Sequence, residues 1–278
     1  ASGEEPGAPS PDGSREAFIR DWNLWLRDLA SGKETQLTFD GKPDYGYATD
    51  NAGWKHTDNA ILVWSPDGNK IATFQQDQRK TSTMTMVATN VGVPKVEQWK
   101  YPFVGDKDVT MIERVIIDLS AAKPKIIRLQ LPPDQHRSTC SDDIACSEGW
   151  EDVQWAKDGK TLAFVSTDRG HKSATLRVAD AATGKVRDVH TEIVATQYQS
   201  APALDSVNWR YLPESNEFLW FSQKSDWGHL YLHDLASGKE KRQLTSGDWN
   251  VAKVVHIDAA SRTLWFEGVG REAGRDPY

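Results

Sequence analysis

Apolar and polar residues alternate in short runs along this chain, and each run stops at a cluster of turn-forming residues. Asn23-Leu-Trp-Leu-Arg27, Ala174-Thr-Leu-Arg-Val178 and His229-Leu-Tyr-Leu-His233 carry this two-residue period. It sets one face of an extended strand against a core and the other toward solvent. Each run leads into a related segment: Asp28-Leu-Ala-Ser-Gly-Lys-Glu34, the looser Asp180-Ala-Ala-Thr-Gly-Lys-Val186, and Asp234-Leu-Ala-Ser-Gly-Lys-Glu240. The Ser-Gly or Thr-Gly step reverses the chain. In the first and last copies a further strand then begins, at Gln36-Leu-Thr38 and Gln243-Leu-Thr245.

A second repeated element comes earlier in each unit. Trp64-Ser-Pro-Asp-Gly68 precedes Lys70-Ile-Ala-Thr-Phe74, Trp155-Ala-Lys-Asp-Gly159 precedes Thr161-Leu-Ala-Phe-Val165, and Ser10-Pro-Asp-Gly13 precedes Glu16-Ala-Phe-Ile19. Degenerate forms are Trp209 to Asn216 and Ile257-Asp-Ala-Ala-Ser-Arg262. Pro early in a turn and Gly at its end match β-turn chemistry. The unit is therefore a four-stranded antiparallel meander, the sheet of a β-propeller blade. Blades of about 40–50 residues give about five units here. The fold class expected is all-β: propeller blades in an incomplete ring, with one blade carrying an insertion. An open ring exposes strand edges, which favours a homo-oligomer or a marginally stable monomer.

The insertion falls between Gln75 and Ile117. Asp77 to Thr89 is polar and lacks clear alternation, and reads as part of an inserted excursion from a blade. Gln98-Trp-Lys-Tyr-Pro-Phe103 then precedes a strong strand pattern, Val109 to Ile117. Helix signals are weak throughout, and Ala1 to Ser14 reads as a loop or a frayed end that contains the Ser10 turn.

Composition narrows the function classes. The net charge of -7 over 278 residues argues against nucleic acid as a partner, which needs clustered Lys and Arg;. No apolar run approaches the roughly 20 residues of a membrane-spanning helix. The 12 Trp suit sheet-on-sheet packing, with those at the blade starts in the core and Trp227 and Trp249 near a rim;. The two cysteines, Cys140 and Cys146, share one short polar loop. Their spacing is too long for a redox Cys-x-x-Cys pair and suits a small disulfide-closed loop in an oxidising compartment, with two free thiols as the alternative.

Chemistry-bearing motifs are scarce. Asp142, Asp143, Glu148, Glu151 and Asp152 cluster around the cysteines but lack a calcium-loop spacing, so they read as solvated loop charge;. Cys140, Cys146 and His136 lack a fourth zinc ligand. No phosphate-binding Gly loop, metalloprotease helix or dinucleotide fingerprint is present. Neither a metal nor a cofactor is expected.

Several segments together resemble one family. Trp64-Ser-Pro-Asp-Gly68, Ala72-Thr-Phe-Gln-Gln-Asp77, Tyr101-Pro102 with Gly105, and the strand to Ile117 are similar to the propeller of bacterial dipeptidyl peptidase IV-like enzymes. So are Gln223-Lys-Ser-Asp-Trp-Gly-His-Leu-Tyr231 and Gln243-Leu-Thr-Ser-Gly-Asp-Trp249, while Phe266-Glu-Gly leading to Arg275-Asp-Pro-Tyr278 looks like a last blade. The resemblance covers nearly the whole chain. It implies a serine exopeptidase of the prolyl oligopeptidase class, cleaving N-terminal dipeptides after proline or short peptides. Residues 1–278 would then be its partial propeller, which gates and binds peptide substrate. The Ser-Asp-His triad would lie in an α/β-hydrolase domain downstream, since no Gly-x-Ser-x-Gly elbow occurs here.

The chain departs from that family at one place. Paired Glu residues that hold a substrate's α-ammonium group are replaced by Thr49-Asp-Asn-Ala-Gly-Trp-Lys-His-Thr-Asp58. Asp50 and Asp58 remain as acceptors and Trp54 as an apolar wall. His56 completes the candidate substrate-binding set, without a catalytic role. Tripeptidyl or oligopeptide cleavage stays open. The location implied is periplasmic or secreted. The alternative function is a non-enzymatic periplasmic propeller that binds a protein partner, and the Gln98 to Ile117 insert weighs against it.

Overall fold

The computed structural model describes residues 7–49, 58–89, 91–135, 150, 152–200, 207–272 and 274, and in them the repeated turns close on their own side chains. Ser65 Oγ donates to Asp67 Oδ1 at 2.6 Å and accepts from the Lys70 N–H at 2.8 Å. The Gly68 N–H returns to the Ser65 carbonyl at 2.8 Å, with Gly68 at φ 69°. Ser10 repeats this with Asp12 at 2.6 Å and the Arg15 N–H at 3.1 Å. The third copy has Ala156 in place of the serine. It keeps the Gly159 N–H to Ala156 carbonyl bond at 3.0 Å but has no hydroxyl to add.

The second turn type is built on an aspartate. Asp28, Asp180 and Asp234 each accept from the hydroxyl and the N–H three residues on, at 2.7 and 2.8 Å. These bonds, the hydroxyl's first, hold all three carboxyls below their ordinary range;. Asp258 is a fourth copy. Ser261 Oγ donates to its Oδ2 at 2.6 Å, and Arg262 takes the left-handed position that Gly fills elsewhere, at φ 58°. The Ile257 to Arg262 segment thus bonds as the Asp28 turn does, not as the Ser-Pro-Asp-Gly turn it was grouped with from sequence.

The chain divides into two units, Ala1–Thr139 and Cys140–Tyr278. In the first, β1 (Ala8–Pro9), β2 (Arg15–Arg20), β3 (Asn23–Asp28) and β4 (Glu34–Gln36) form an antiparallel meander in that order. The opening segment therefore supplies an edge strand rather than only loop, with Ala8 opposite Ala17 and Pro9 opposite Glu16. There follow β5 (Tyr45–Tyr47), β6 (Val63–Trp64), β7 (Lys70–Asp77), β8 (Thr83–Ala88), β9 (Lys95–Lys100), β10 (Met111–Asp118), β11 (Lys125–Arg128) and β12 (Asp134–Gln135). The second sheet has β7 and β10 at its centre. β5 and β6 pair with β7, and β11 and β12 with β10. Its Ile71, Val115 and Ile117 pack with Ala17, Leu24, Leu37 and Tyr47.

β8 and β9 pair with each other as a separate two-stranded ribbon. The segment Asp77 to Thr89, which lacks clear alternation in sequence, therefore contains a strand. Most residues of β8 are exposed. A strand that buries neither face is under no pressure to alternate.

In the second unit, β13 (Val153–Trp155), β14 (Thr161–Thr167), β15 (Ser173–Asp180) and β16 (Val186–Ile193) form one meander, and β17 (Arg210–Leu212), β18 (Glu217–Ser222), β19 (His229–Asp234) and β20 (Glu240–Gln243) form another. A 3-10 turn, Pro213–Ser215, links β17 to β18, and Asn216 closes it in left-handed backbone at φ 52°. β21 (Asn250–Asp258) and β22 (Thr263–Val269) pair as two strands. Among the described residues the 3-10 turn is the one helical element, and no helix is long and apolar enough to cross a membrane.

β18 is buried along its whole length. Phe218 and Trp220 face a core with Ala163, Val165, Leu176 and Trp209. Leu219 and Phe221, on the other face, pack with Leu230, Val251 and Val254. Burial of Phe218 alone contributes about 1.5–3 kcal/mol. Asp152, read from sequence as solvated charge, is fully buried and accepts from Trp209 Nε1 at 3.0 Å. A buried carboxylate needs such a donor. The other members of that acidic cluster, His136, and the cysteines Cys140 and Cys146, lie outside the described residues.

Candidate functional site

The segment singled out from sequence is rooted in an interrupted edge strand. β5 lies opposite Gln75 to Asp77 of β7, and β6 lies opposite Ile71 and Ala72. Between them the chain leaves β7 after Ala48 and returns at Ile61. The two ends are bound together. The Ala48 N–H donates to the Phe74 carbonyl and the Ile61 N–H to the Ala48 carbonyl, both at 2.9 Å. Thr73 Oγ1 donates to the Ile61 carbonyl at 2.8 Å. Ala48 has φ 55°, a left-handed conformation that turns the chain out of the sheet at the cost of strain;. Ala48 and Ile61 thus form a closed neck where the chain leaves the sheet and re-enters it.

Of the candidate residues, Asp50, Trp54 and His56 lie outside the described residues, and Asp58 is exposed where the chain returns. Thr49 is buried and bonded to Gln76 Oε1 at 3.1 Å.

Beside the neck lies a polar network that sequence reading missed. Tyr47 Oη donates to Asp40 Oδ1 at 2.7 Å. Arg128 Nη2 donates to Gln75 Oε1 at 2.7 Å and to Tyr47 Oη at 3.0 Å, and Nη1 to Glu113 Oε2 at 2.8 Å. Burial, then the bond to Asp40, push the Tyr47 hydroxyl well above its ordinary value, so it keeps its proton and donates;. Gln75, Gln76 and Gln78 are all nearly fully buried. Gln75 Nε2, Gln76 Nε2 and Gln78 Oε1 find no partner among the described residues. Arg114, also buried, donates through Nε to Asp134 at 2.8 Å.

In a strand that alternates, one of Gln75 and Gln76 should face water. The signal available was the run of three polar residues, Gln75 to Asp77, that ends the strand. Chemically the arrangement offers fixed amide, guanidinium and hydroxyl groups around a closed neck. That suits holding a polar chain. Among the described residues no group of three or more His, Cys, Asp or Glu is placed to hold a metal ion.

The insert follows directly. Tyr101 N–H donates to the Ser82 carbonyl at 2.8 Å and closes the ribbon's base. Tyr101 and Phe103 then meet edge-on, with ring centroids 5.9 Å apart. Met86, Val87 and Val96 of the ribbon are about half exposed or more.

Comparison with known proteins bears on this geometry. A family described as the dipeptidyl peptidase IV (DPP IV) N-terminal region matches residues 5–277. The Aspergillus flavus protein named "Probable dipeptidyl peptidase 4" is 26% identical over 274 residues, which cover 92% of this chain and 33% of the relative. "Dipeptidyl peptidase 4" of Arthroderma otae is 24% identical over 268 residues, covering 90% and 32%. The chain thus spans about a third of the length of these curated relatives. Among solved structures, dipeptidyl peptidase 4 of Porphyromonas gingivalis superposes with a TM-score of 0.72 at 19% identity, covering 95% of this chain and 35% of the other. That likeness is one of fold.

Proposed function

The chain belongs to the family of the dipeptidyl peptidase IV N-terminal region, and from that premise we propose that it is the substrate-gating, peptide-binding propeller domain of a serine exopeptidase. The parent enzyme would release dipeptides or short peptides from N-termini after proline. Its Ser-Asp-His triad would sit in a hydrolase domain that is this chain's covalent partner. No metal or cofactor enters the reading.

The observation that carries it is the closed neck at Ala48 and Ile61, where the chain leaves β7 after β5 and rejoins it before β6. In this reading Asp50 and Asp58 accept the substrate's α-ammonium group, Trp54 walls the first side chain, and His56 lines the same loop. Charge-assisted contacts of this kind are roughly twice as strong as neutral ones. A periplasmic or secreted location and a Cys140–Cys146 disulfide go with it, and thiol titration with and without reductant reads the latter.

The test is a peptidase assay on this chain and on the gene extended beyond Tyr278. Proline-containing chromogenic peptides are offered with free and with blocked N-termini. Activity in the extended protein alone, on free N-termini, and lost in its D50N and D58N variants, is the expected result. A gene without a hydrolase segment, or an extended protein inactive on every peptide, would overturn the reading in favour of a partner-binding propeller.

A further inference from the structure

A cavity of about 560 Å³ opens in the second unit where β16 meets β18 and β19. That volume is in the usual range for small-ligand sites. Glu192 lies in its wall. Trp220 Nε1 donates to Glu192 Oε2 and Ser222 Oγ to Oε1, both at 2.6 Å. Trp220 and Ser222 are 1% and 2% exposed, so both donors are fixed in the core of β18. The carboxylate is therefore held rigidly by two neutral groups, and among the described residues no basic side chain pairs with it. Its charge is met there by neutral donors rather than by an ion pair.

The remaining wall favours the same sign of ligand. His190 meets Trp220 edge-on at 5.2 Å and His233 at 4.6 Å between ring centroids. Burial, then the neighbouring His233 and Lys224, hold the His190 imidazole down to about 4, so it is neutral at pH 7;. Lys224, the cation in the lining, is engaged elsewhere, paired with Glu240 and lying over the Tyr231 ring at 4.0 Å. Asp226 adds a second carboxylate at the exposed rim, and Ile193, 78% exposed, offers apolar surface.

We propose that this cavity binds a small organic cation, a guanidinium or primary ammonium on an aliphatic stem, whose charge neutralises Glu192. An anion is excluded by the fixed carboxylate. A purely apolar ligand would strip water from that carboxylate without replacing it. The stem lies along Ile193, and the cationic head reaches Glu192 beside the His190 ring. The site is independent of the peptidase reading.

Isothermal titration calorimetry of the 278-residue chain at low salt tests it. The probes are agmatine, N-acetylarginine amide, and the neutral isostere N-acetylcitrulline amide. At least one charged probe is expected to bind about tenfold or more tightly than citrulline. Agmatine alone would mark a free amine as the ligand, and the arginine amide alone a peptide side chain. E192Q should weaken binding about tenfold. Because that change disturbs the bonds to Trp220 and Ser222, T196K is the second variant. Thr196 is an exposed wall residue, and its lysine brings a tethered ammonium to the cavity. T196K should abolish probe binding with an unchanged thermal melt. No heat from either charged probe, equal binding of citrulline, or undiminished binding by T196K would overturn the proposal.

Discussion

Arg262 reaches from the turn between β21 and β22 to grip Glu217 at the start of β18, with Nη1 on Oε2 and Nη2 at 3.2 Å from Oε1. Lys241 of β20 binds Oε1 as well. Glu217 is 2% exposed at its side chain, while the two cations are about half exposed, at 46% and 50%. One buried carboxylate therefore ties the two-stranded sheet to its neighbour. Removal of the carboxylate in E217A frees cations that water can resolvate, so the expected cost is about 1–3 kcal/mol, read by urea unfolding.

The same contact has a pH signature. Arg262's hydrogen bonds, opposed by burial and assisted by Lys241, hold Glu217 down to about 2 from an ordinary 4.5. A carboxylate with a lowered folded pKa stabilises fully above its unfolded value and loses that contribution as it protonates. The difference in melting temperature between wild type and E217Q should be full above pH 4.5 and shrink toward pH 2. A difference independent of pH would sink the assignment.

Arg262 also separates backbone from side chain. At φ 58° it is in the region where Gly is unstrained;. R262G and R262A both lose the ion pair, but only R262A keeps the strain. R262A should be less stable than R262G by about 1 kcal/mol. Equal stabilities would mean that the left-handed backbone costs nothing here.

Gly32 and Gly238 occupy the same place in identical seven-residue segments, at φ 68° and 71°. A Cβ on Gly32 meets nothing within 4 Å, whereas one on Gly238 would lie 1.9 Å from the Val189 carbonyl oxygen. G32A is expected to cost about 1–2 kcal/mol, the left-handed penalty alone. G238A must also displace the β16 backbone and should cost several kcal/mol or prevent folding. Matching costs, measured by thermal denaturation, would contradict this packing.

His190 gives a second, separate pH dependence. Burial lowers its pKa to about 4 from 6.5, so the unfolded chain binds its proton first as pH falls;. Its contribution is complete above about pH 6.5 and lost progressively toward pH 4. The groups around it are His233, Lys224, Glu240 and the Glu192 carboxylate. H190F should reduce the slope of the melting-temperature profile between pH 6.5 and 4, with a remainder from His233, whose imidazole is also lowered by burial, while leaving the Glu217 window below 4.5 in place. An unchanged slope in H190F would remove His190 as its source.

At the candidate site, Thr73 is 1% exposed, and its hydroxyl satisfies the Ile61 carbonyl. T73V keeps the shape and deletes the bond. The neck should weaken by about 1–2 kcal/mol, read as faster tryptic cleavage at Lys55 in residues 49–60. Cleavage at the wild-type rate would show that the neck does not depend on this hydroxyl.

Much of the architecture was legible before the structure. The alternation around Leu24, Leu176 and Leu232 located strands, and the turns at Ser65 and Asp28 located their reversals. The Tyr47 to Asp58 segment was singled out only by its departure from the resembled family's paired acids. Gln75, Gln76 and Arg128 were not, because a polar residue in an alternating run reads as solvent-facing until a neighbour covers it. The β8–β9 ribbon was missed for the opposite reason, since strands that bury nothing need not alternate.

The sequence by itself determined the strand–turn repeat and the chemistry of its clearer turns, though not that of Ile257 to Arg262, because those hydrogen bonds join residues only two to five positions apart. Tertiary structure alone decided that Asp152 is buried under Trp209, that Glu217 is clamped from both sides, and that Gly238 is indispensable where its twin Gly32 is not. Each of those outcomes depends on an atom dozens of residues away in sequence, and local pattern carries no record of which strand will come to lie alongside.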